Sequence, residues 1–260
     1  PRNEEIMDNV VNITNVGNQE DDIKETGIIV EEESQYIHVT ELVPATRVLG
    51  DNMETVAIMT EQFEQVIDPI LKMYSAAVSE ATSRIEIIKD EFRYRKKRCP
   101  IHHIDTRIKS SRSILGKLRK KNLDLSINAA CNNIFDIAGI RVVCPYIKDV
   151  YEIRDRILAQ DDIQIMNIKD YIEQPKNNGY RSLHMVIRVP IYFMNKKQMV
   201  PVEIQIRTLA MDLWASLEHD IMYKAIGNAG YDFSEQLLEC SKLIYKAEDQ
   251  MEKMNEMLEE

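Results

Sequence analysis

The sequence has no apolar run that approaches the roughly 20 residues needed to cross a bilayer. It also lacks, at its start, a basic segment followed by an apolar one, so we expect a cytoplasmic protein without a membrane partner. Its four cysteines are scattered and form no C-x-x-C pair, which favours reduced thiols with mostly structural roles. The five histidines are dispersed as well, and a structural zinc site is therefore not expected.

The common nucleotide-binding signatures are also missing. The chain contains no G-x-x-x-x-G-K-[ST], no G-x-G-x-x-G and no H-R-D catalytic loop. Any nucleotide chemistry would therefore have to use carboxylates and bases carried by strands and short helices.

Charge is distributed unevenly along the 260 residues. Residues 1–60 hold 13 acidic and 3 basic residues, which accounts for the whole net charge of −10. We predict that residues 1–52 form an acidic, flexible extension and that residues 53–260 form the folded domain. Residues 84–121 carry 14 bases against 4 acids, a balance that favours an anionic ligand, although bases at the end of a helix also complement its dipole.

Helical periodicity predicts long helices at both ends of the folded domain. Near its start, Asp68 and Pro69 are suited to the N-cap and first position of a helix, so we predict one helix before them and a longer one from Pro69 to about Lys97. The last helix spans residues 234–259 and can pack on the domain or against another subunit. It carries apolar residues at heptad spacing: Leu237, Cys240, Ile244, Ala247, Met251, Met254 and Leu258.

Residues 136–144 predict a buried strand that contains two charged side chains. The strand is apolar and β-branched, yet it includes Asp136 near its start and Arg141 further along. Gly139 either lets a ligand approach the backbone or marks a bulge. A buried charge is costly unless it is paired or binds an ion, so a ligand site competes with an ordinary core strand as the interpretation.

The basic stretch contains a candidate phosphate site. Residues 107–109 resemble an edge strand, and Ser110 or Ser111 can cap a short helix that presents Ser113 and Lys117 on one face. Hydroxyls, a helix N-terminus and several bases suit a phosphate, while a plain basic surface stays an equal alternative.

A turn-rich loop after a strand over 163–169 carries several polar groups close together. Within residues 175–184 it delivers Tyr180, Arg181 and His184 beside a Pro-x-x-Asn-Gly turn. An aromatic ring beside bases suits a nucleobase and its phosphates, and a hairpin with a packed tyrosine is the alternative.

The next two strands form a predicted hairpin across residues 195–198. The two-residue period places Glu203, Gln205 and Arg207 on one face and their apolar neighbours in the core. Glu203 could join Asp136 in holding Mg²⁺, which favours one or two carboxylates plus substrate phosphates. The following helix, over residues 209–224, is predicted to turn three apolar side chains inward: Trp214, Leu217 and Met222.

Five motifs in this order resemble the synthetase domain of the RelA/SpoT family, across roughly residues 68–258. The likeness to its single-domain members, the small alarmone synthetases, is the strongest, since no hydrolase or regulatory domain is recognised. The motifs are Arg107-Ile-Lys109-x-x-x-Ser113-Ile-x-x-Lys117, Asp136-Ile-Ala-Gly139-Ile-Arg141, Pro175-Lys-x-Asn-Gly179-Tyr180-Arg181-Ser182-Leu183-His184, Val202-Glu203-Ile204-Gln205-Ile206-Arg207-Thr208 and Met211-Asp-x-Trp214-Ala-Ser-Leu217-Glu218-His219.

The resemblance implies transfer of the pyrophosphoryl group of ATP to the 3′-hydroxyl of GDP or GTP. It implies an α/β (α+β) fold, a mixed five-stranded nucleotidyltransferase-like sheet flanked by helices. Mg²⁺ is the implied cofactor, held by the catalytic residues Asp136 and Glu203, and Glu203 also helps to activate the 3′-hydroxyl. The other implied contacts are Arg107 and Arg141 around adenine, Lys109, Ser113 and Lys117 on the ATP phosphates, Tyr180 on guanine, and Lys176, Arg181, His184 and Gln205 on the acceptor.

The resemblance also implies a homo-oligomer through the terminal helices, with a tetramer favoured. Two other hypotheses remain at this stage. The acceptor could be an adenosine nucleotide or the 3′ end of tRNA, or the chain could be a catalytically silent regulator that binds nucleotide or RNA. The acidic extension argues against RNA and the basic stretch argues for it, so an RNA partner is not favoured.

Overall fold

In this computed structural model the described residues are 53–95, 98–226 and 232–259. The predicted extension over 1–52 and the glycines between the last two helices lie outside them. Six helices and five strands occupy the described part of the chain. They are α1 (Met53–Tyr94), β1 (His103–Ile108), α2 (Ser111–Lys120), α3 (Ile127–Asn133), β2 (Ala138–Cys144), α4 (Ile147–Leu158), β3 (Gln164–Asp170), β4 (Leu183–Phe193), β5 (Lys196–Thr208), α5 (Leu209–Ile226) and α6 (Ser234–Glu259).

The prediction of two helices around Pro69 is wrong, because α1 runs through this proline without a break. Pro69 lies on the exposed side, while Phe63, Ile67 and Ile70 continue one buried stripe past it. A proline inside a helix costs about 3 kcal/mol, and each large apolar side chain that is buried returns roughly 1.5–3 kcal/mol. Continuous burial of the stripe therefore outweighs the missing hydrogen bond.

The five strands form one mixed sheet in the order β1-β2-β5-β4-β3. The central pair, β2 and β5, is parallel, and the other three pairs are antiparallel. The sequence-based expectation of a mixed five-stranded sheet flanked by helices is confirmed. The hairpin is tighter than predicted, since Met194 and Asn195 alone form its turn, with positive φ angles of 50° and 62°.

One face of the sheet is apolar and forms the core. Ile140, Val142, Ile204 and Met185 are fully buried on this face. Helix α1 packs on β1, β2, β4 and β5, and α4 packs on β2 and β5. Because the two helices cover the apolar face, the polar face is the one left to carry a site.

In the two C-terminal helices, only part of the apolar residues singled out by their spacing is buried. In α5, Trp214 is buried as expected and its indole N–H donates to the Leu237 carbonyl at 2.9 Å, but Leu217 is 52% exposed. In α6 most of the predicted heptad residues face outward. No helix in the described ranges is long and apolar enough to span a membrane.

Candidate active site

Two rows of side chains cross the polar face of the sheet. The register aligns Arg107, Gly139 and Glu203 on neighbouring strands, and it aligns Arg141 with Gln205 two residues further along. His184 of β4 faces Gln205 in the same row, so it shares their face. The structure therefore brings together predicted site residues that are up to 98 positions apart in the sequence.

Asp136 lies two residues before β2 and accepts bonds from two lysines. Its Oδ2 is 2.9 Å from Lys109 Nζ and 2.8 Å from Lys117 Nζ. Burial raises the pKa of Asp136, but the hydrogen bonds and positive charges of Lys117 and Lys109 outweigh burial and lower the pKa overall. Two cations facing one carboxylate leave a surplus of positive charge at this point, which suits a polyphosphate.

Ser110, rather than Ser111, caps α2. Its side-chain oxygen accepts from the Ser113 backbone N–H at 3.3 Å, and the two hydroxyl oxygens are 2.9 Å apart. Lys117 is one turn further along the same helix, on the side that reaches Asp136. Lys109 and Lys117 thus meet at Asp136, and Ser113 lies one turn before Lys117 on the same helix.

Glu203 is the second carboxylate of the polar face. Its Oε1 is 3.3 Å from His184 Nδ1, and its Oε2 accepts from the Gln205 amide at 2.9 Å. Burial and the negative charge of Asp136 raise the pKa of Glu203. The hydrogen bonds to His184 and Gln205 and the charge of His184 outweigh them, so the pKa is lowered overall. Glu203 is consequently ionised at neutral pH and sits within electrostatic range of Asp136.

Arg107 and Arg141 flank Gly139 on adjacent antiparallel strands. Arg107 is paired with Gly139 itself, and Arg141 is two residues beyond it on the same face. Such diagonal neighbours are about 7–8 Å apart, and a Cβ added to Gly139 would meet only the Arg107 carbonyl oxygen, at 3.8 Å. The glycine marks no bulge in the strand, and its missing side chain leaves the polar face open next to the strand positions of Arg107 and Arg141.

The loop over residues 171–182 brings an aromatic cluster to the edge of this face. The Tyr180 ring lies edge-to-face with Tyr171 and His184, at centroid distances of 6.1 and 5.7 Å. The Tyr180 hydroxyl and His184 Nε2 are 2.8 Å apart. Lys176 Nζ lies 4.9 Å above the Tyr180 ring centre and 4.6 Å above that of Tyr171.

Among the predicted acceptor residues of this loop, Arg181 points away from the aromatic cluster. Its guanidinium forms a buried ion pair with Glu248 of α6, with Nη1 2.8 Å from Oε2. Its predicted contact with the acceptor stays a prediction, but in this structure its charge is already paired.

Three residues that the sequence analysis did not assign to the site join the predicted ones. Asp212 lies 3.5 Å from Arg141 and 3.2 Å from Arg207, and Arg207 donates to the Gln205 and Tyr180 side chains. The two-residue period had placed Arg207 on the same face as Glu203, but it was given no role there. Tyr171 and Asp212 become visible only once the loop and α5 are folded against the sheet.

The donor set fits a magnesium ion in part. Asp136 Oδ1 is buried and has no hydrogen-bond partner, so one carboxylate oxygen is available for a ligand. Among the described residues no group of three or more His, Cys, Asp or Glu side chains could hold a metal. Two carboxylates therefore suit Mg²⁺ only if substrate oxygens complete its shell, as Mg²⁺ commonly requires.

The fold and the site together define a class: an α/β protein whose mixed sheet presents carboxylates, bases and aromatic rings on one face, an arrangement suited to nucleotide phosphates. Comparisons with known proteins agree. The pattern of the family described as "Region found in RelA / SpoT proteins" matches residues 106–228.

Two relatives from Bacillus subtilis (strain 168) match over most of both chains. GTP pyrophosphokinase YwaC is 37% identical over 181 residues, 70% of this chain and 86% of the relative. GTP pyrophosphokinase YjbM is 32% identical over 200 residues, 77% of this chain and 92% of the relative. The crystal structure of small alarmone synthetase 1 from B. subtilis bound to its product pppGpp has a TM-score of 0.69 and 30% identity, covering 77% of this chain and 100% of that one. This chain belongs to the RelA/SpoT family.

Proposed function

We propose that this protein is a (p)ppGpp synthetase, a GTP pyrophosphokinase that transfers the pyrophosphoryl group of ATP to the 3′-hydroxyl of GDP or GTP. The observation that carries the proposal is the pair of carboxylates on the polar face: Asp136 is bonded to the lysine cluster, and Glu203 is bonded to His184 of the aromatic cluster. The matched relatives are themselves named GTP pyrophosphokinases. Stringent-response signalling is the physiological role that this activity would serve.

We name the two sides of the site by the substrate that each would take. The donor half consists of Lys109, Ser113, Lys117 and Asp136, with Arg107 and Arg141 as the proposed adenine contacts beside it. The acceptor half consists of Tyr171, Lys176, Tyr180 and His184, with Gln205 next to it. Glu203 lies on the strand between them and bonds to His184.

The proposed pyrophosphoryl transfer needs only binding, orientation and proton transfer from these residues. The 3′-oxygen of the acceptor forms a bond to the β-phosphorus of ATP, the bond from that phosphorus to the α,β-bridging oxygen breaks, and AMP leaves. Ionised Glu203 is placed to orient the 3′-hydroxyl and accept its proton. Lys109 and Lys117 neutralise the transferred phosphates, and Tyr180 with Lys176 holds the guanosine. Positioning and charge neutralisation of this kind supply most of the catalysis in phosphoryl transfer.

Mg²⁺ is the proposed cofactor, with Asp136 and Glu203 as its protein ligands. When bound, the ion would neutralise charge on the ATP phosphates. The partnerless Oδ1 of Asp136 supports this assignment.

The decisive experiment is product analysis with each acceptor offered separately. Purified protein is incubated with Mg²⁺ and labelled ATP plus GDP, GTP, ADP or uncharged tRNA, and the products are separated by thin-layer chromatography. We expect label on the 3′-position of guanosine nucleotides together with an equal amount of AMP. Label on ADP or tRNA alone would reassign the acceptor, and nucleotide binding without any product would favour the silent regulator.

We also propose a homo-oligomer, with a tetramer favoured. Exposed apolar side chains recur along one side of α5 at Leu209, Leu213, Leu217 and Ile221, and the outer side of α6 adds more. Stripes of this kind are typical of faces covered by another subunit. Light scattering coupled to size exclusion should give four times the 30.2 kDa chain mass, and Leu213→Glu with Leu217→Glu should reduce it.

We propose that the protein works in the cytoplasm, where ATP and guanosine nucleotides are available. All four cysteines are free thiols, as is usual in a reducing compartment. Cell fractionation followed by immunodetection would test the location.

A further inference from the structure

Helix α6 buries polar side chains and exposes apolar ones. Ser241 and Glu248 are only 8% and 7% exposed, whereas Met251 and Met254 are 61% and 57% exposed. Burying a hydroxyl or a carboxylate is unfavourable unless each finds a partner. The inward side of α6 is therefore held by specific polar contacts rather than by apolar packing alone.

The first of these contacts fixes the turn that precedes Tyr180. Ser241 Oγ donates to the Gly179 carbonyl oxygen at 2.6 Å. Gly179 has a φ of +89°, and a Cβ added there would lie 2.6 Å from Ser241 Cβ. The helix and the loop thus approach so closely that only a glycine fits, with a hydrogen bond at the point of contact.

The second contact joins the loop to the end of β5. One oxygen of Glu248 accepts from Arg181 at 2.8 Å, and the other accepts from the Thr208 hydroxyl. Arg181 follows Tyr180 in the chain, and Thr208 follows Arg207. Arg207 itself donates to the Tyr180 hydroxyl at 3.3 Å. Glu248 therefore links Arg181 to Thr208. These two residues directly follow Tyr180 and Arg207, whose side chains are hydrogen-bonded to each other.

Arg181 and Thr208, the two partners of Glu248, also make contacts with other residues. The Arg181 guanidinium lies 4.4 Å above the Tyr245 ring of α6. The Thr208 hydroxyl also accepts from the Met211 backbone N–H at 3.2 Å, at the start of α5. In the buried Arg181–Glu248 ion pair, each partner also contacts a further residue. Such a pair fixes the positions of its side chains more firmly than an exposed ion pair does.

We propose that α6 positions the acceptor half, and that Glu248 and Ser241 are positioning residues for the reaction. Arg181 then acts by holding Tyr180 in place through Glu248. This inference rests on the proposed function, because it assigns Tyr180 and His184 to the acceptor nucleotide. It predicts that damage to the α6 contacts weakens acceptor binding and leaves ATP binding intact.

The test compares Glu248→Gln and Ser241→Ala with a matched control, Glu252→Gln. Glu252 lies one turn further along α6 and accepts from the Lys148 backbone N–H at 3.1 Å, away from the loop. Steady-state kinetics with purified full-length protein should show the acceptor KM raised about tenfold in Glu248→Gln, a loss of about 1.4 kcal/mol. Ser241→Ala should raise it by a smaller factor, and the KM for ATP should stay within twofold in all three variants.

A readout that does not need activity separates this inference from the proposed function. Hydrogen exchange of the amides over 179–183 should become at least several-fold faster in Glu248→Gln and Ser241→Ala, and it should stay unchanged in Glu252→Gln. Wild-type protein that yields no product would defeat the proposed function, yet the exchange result would still decide whether α6 holds the loop.

Two outcomes would overturn the inference. One is an acceptor KM and loop exchange within twofold of wild type in both Glu248→Gln and Ser241→Ala. The other is an equal rise in both KM values together with a lower melting temperature, since that pattern describes general support of the fold. If Glu248→Gln fails to fold, Ser241→Ala carries the test alone, because it removes one hydrogen bond and no charge.

Discussion

The donor half and the acceptor half of the site are held in place by different means. In the donor half, Lys117 and Ser113 project from helix α2, and Lys109 and Asp136 lie at the ends of strands β1 and β2. Their mutual contacts are ionic and short. In the acceptor half, Tyr180 and Lys176 lie on a loop between β3 and β4. Their rings and charge meet in aromatic and cation–π contacts, and the Tyr180 hydroxyl adds hydrogen bonds to His184 and Arg207.

This difference fits what each half is proposed to bind. A polyphosphate needs concentrated positive charge, which regular elements can fix at short range. A nucleobase needs a flat ring with open space beside it, and a loop can provide that only if something else holds the loop. Tyr151 bonds to Asp170 at the start of the loop, and α6 bonds to Gly179 and Arg181 near its end.

The largest effect should come from Glu203, the residue between the two halves. Glu203→Gln keeps the shape and the bond to Gln205 but removes the charge, so we expect kcat to fall by about 10³-fold or more. The kcat of Asp136→Asn should fall by a similar factor if Asp136 holds Mg²⁺. Circular dichroism and melting temperature should stay close to wild type, and turnover within tenfold of wild type in both variants would contradict their roles.

Two substitutions of Tyr180 separate the contribution of its ring from that of its hydroxyl. Tyr180→Ala should raise the acceptor KM by about 5- to 150-fold, since stacking of a base on an aromatic ring contributes about 1–3 kcal/mol. Tyr180→Phe keeps the ring and loses the bonds to His184 and Arg207, so its effect should be several-fold at most. The KM for ATP should change little in either variant.

Tyr192→Ala is the matched control for this pair, because Tyr192 is an exposed tyrosine at the far end of β4. The stacking role fails if Tyr180→Phe is as damaging as Tyr180→Ala, because the hydroxyl rather than the ring would then be responsible.

Local sequence signals predicted the regular elements of this site better than its connections. The apolar alternation of residues 202–206 predicted which side chains of β5 face the core, and Ser110 was identified as one of two candidate caps. These features depend on neighbours in the chain, which is why pattern reading reaches them. The resemblance of five ordered motifs supplied the expected roles.

Features set by tertiary contacts were harder to predict. The heptad residues of α6 left open whether they pack on the domain or on another subunit, and nothing in the spacing indicated Ser241 and Glu248. These two residues face inward because their partners, Gly179 and Arg181, come from a loop more than 60 residues earlier. Pro69 suggested a helix start, and burial on the opposite side of α1 overrode it. Leu217 was expected inside on the basis of spacing, although it is 52% exposed, while Trp214 one turn earlier is buried.

The smallest effect concerns the charge surplus of the donor half, and it should appear as a pH-dependent difference in stability. The pKa of Asp136 in the folded protein is lowered from 3.8, so its ion pairs stabilise the fold above that pH and lose this effect as the pH falls through the lowered pKa. Lys117→Met removes one partner. Because the Lys117 side chain is 35% exposed, the loss at pH 7 should be only about 0.2–1 kcal/mol.

Urea unfolding of wild type and Lys117→Met at pH 7 and again below pH 3.8 would measure this difference. We expect the gap in free energy of unfolding to shrink at the lower pH, because protonated Asp136 no longer favours the lysine. Lys120→Met, which alters an exposed lysine of the same helix, should show no such change with pH. A gap of equal size at both pH values would mean that Lys117 stabilises the fold through packing of its aliphatic chain, and the charge-based account of the donor half would then be wrong.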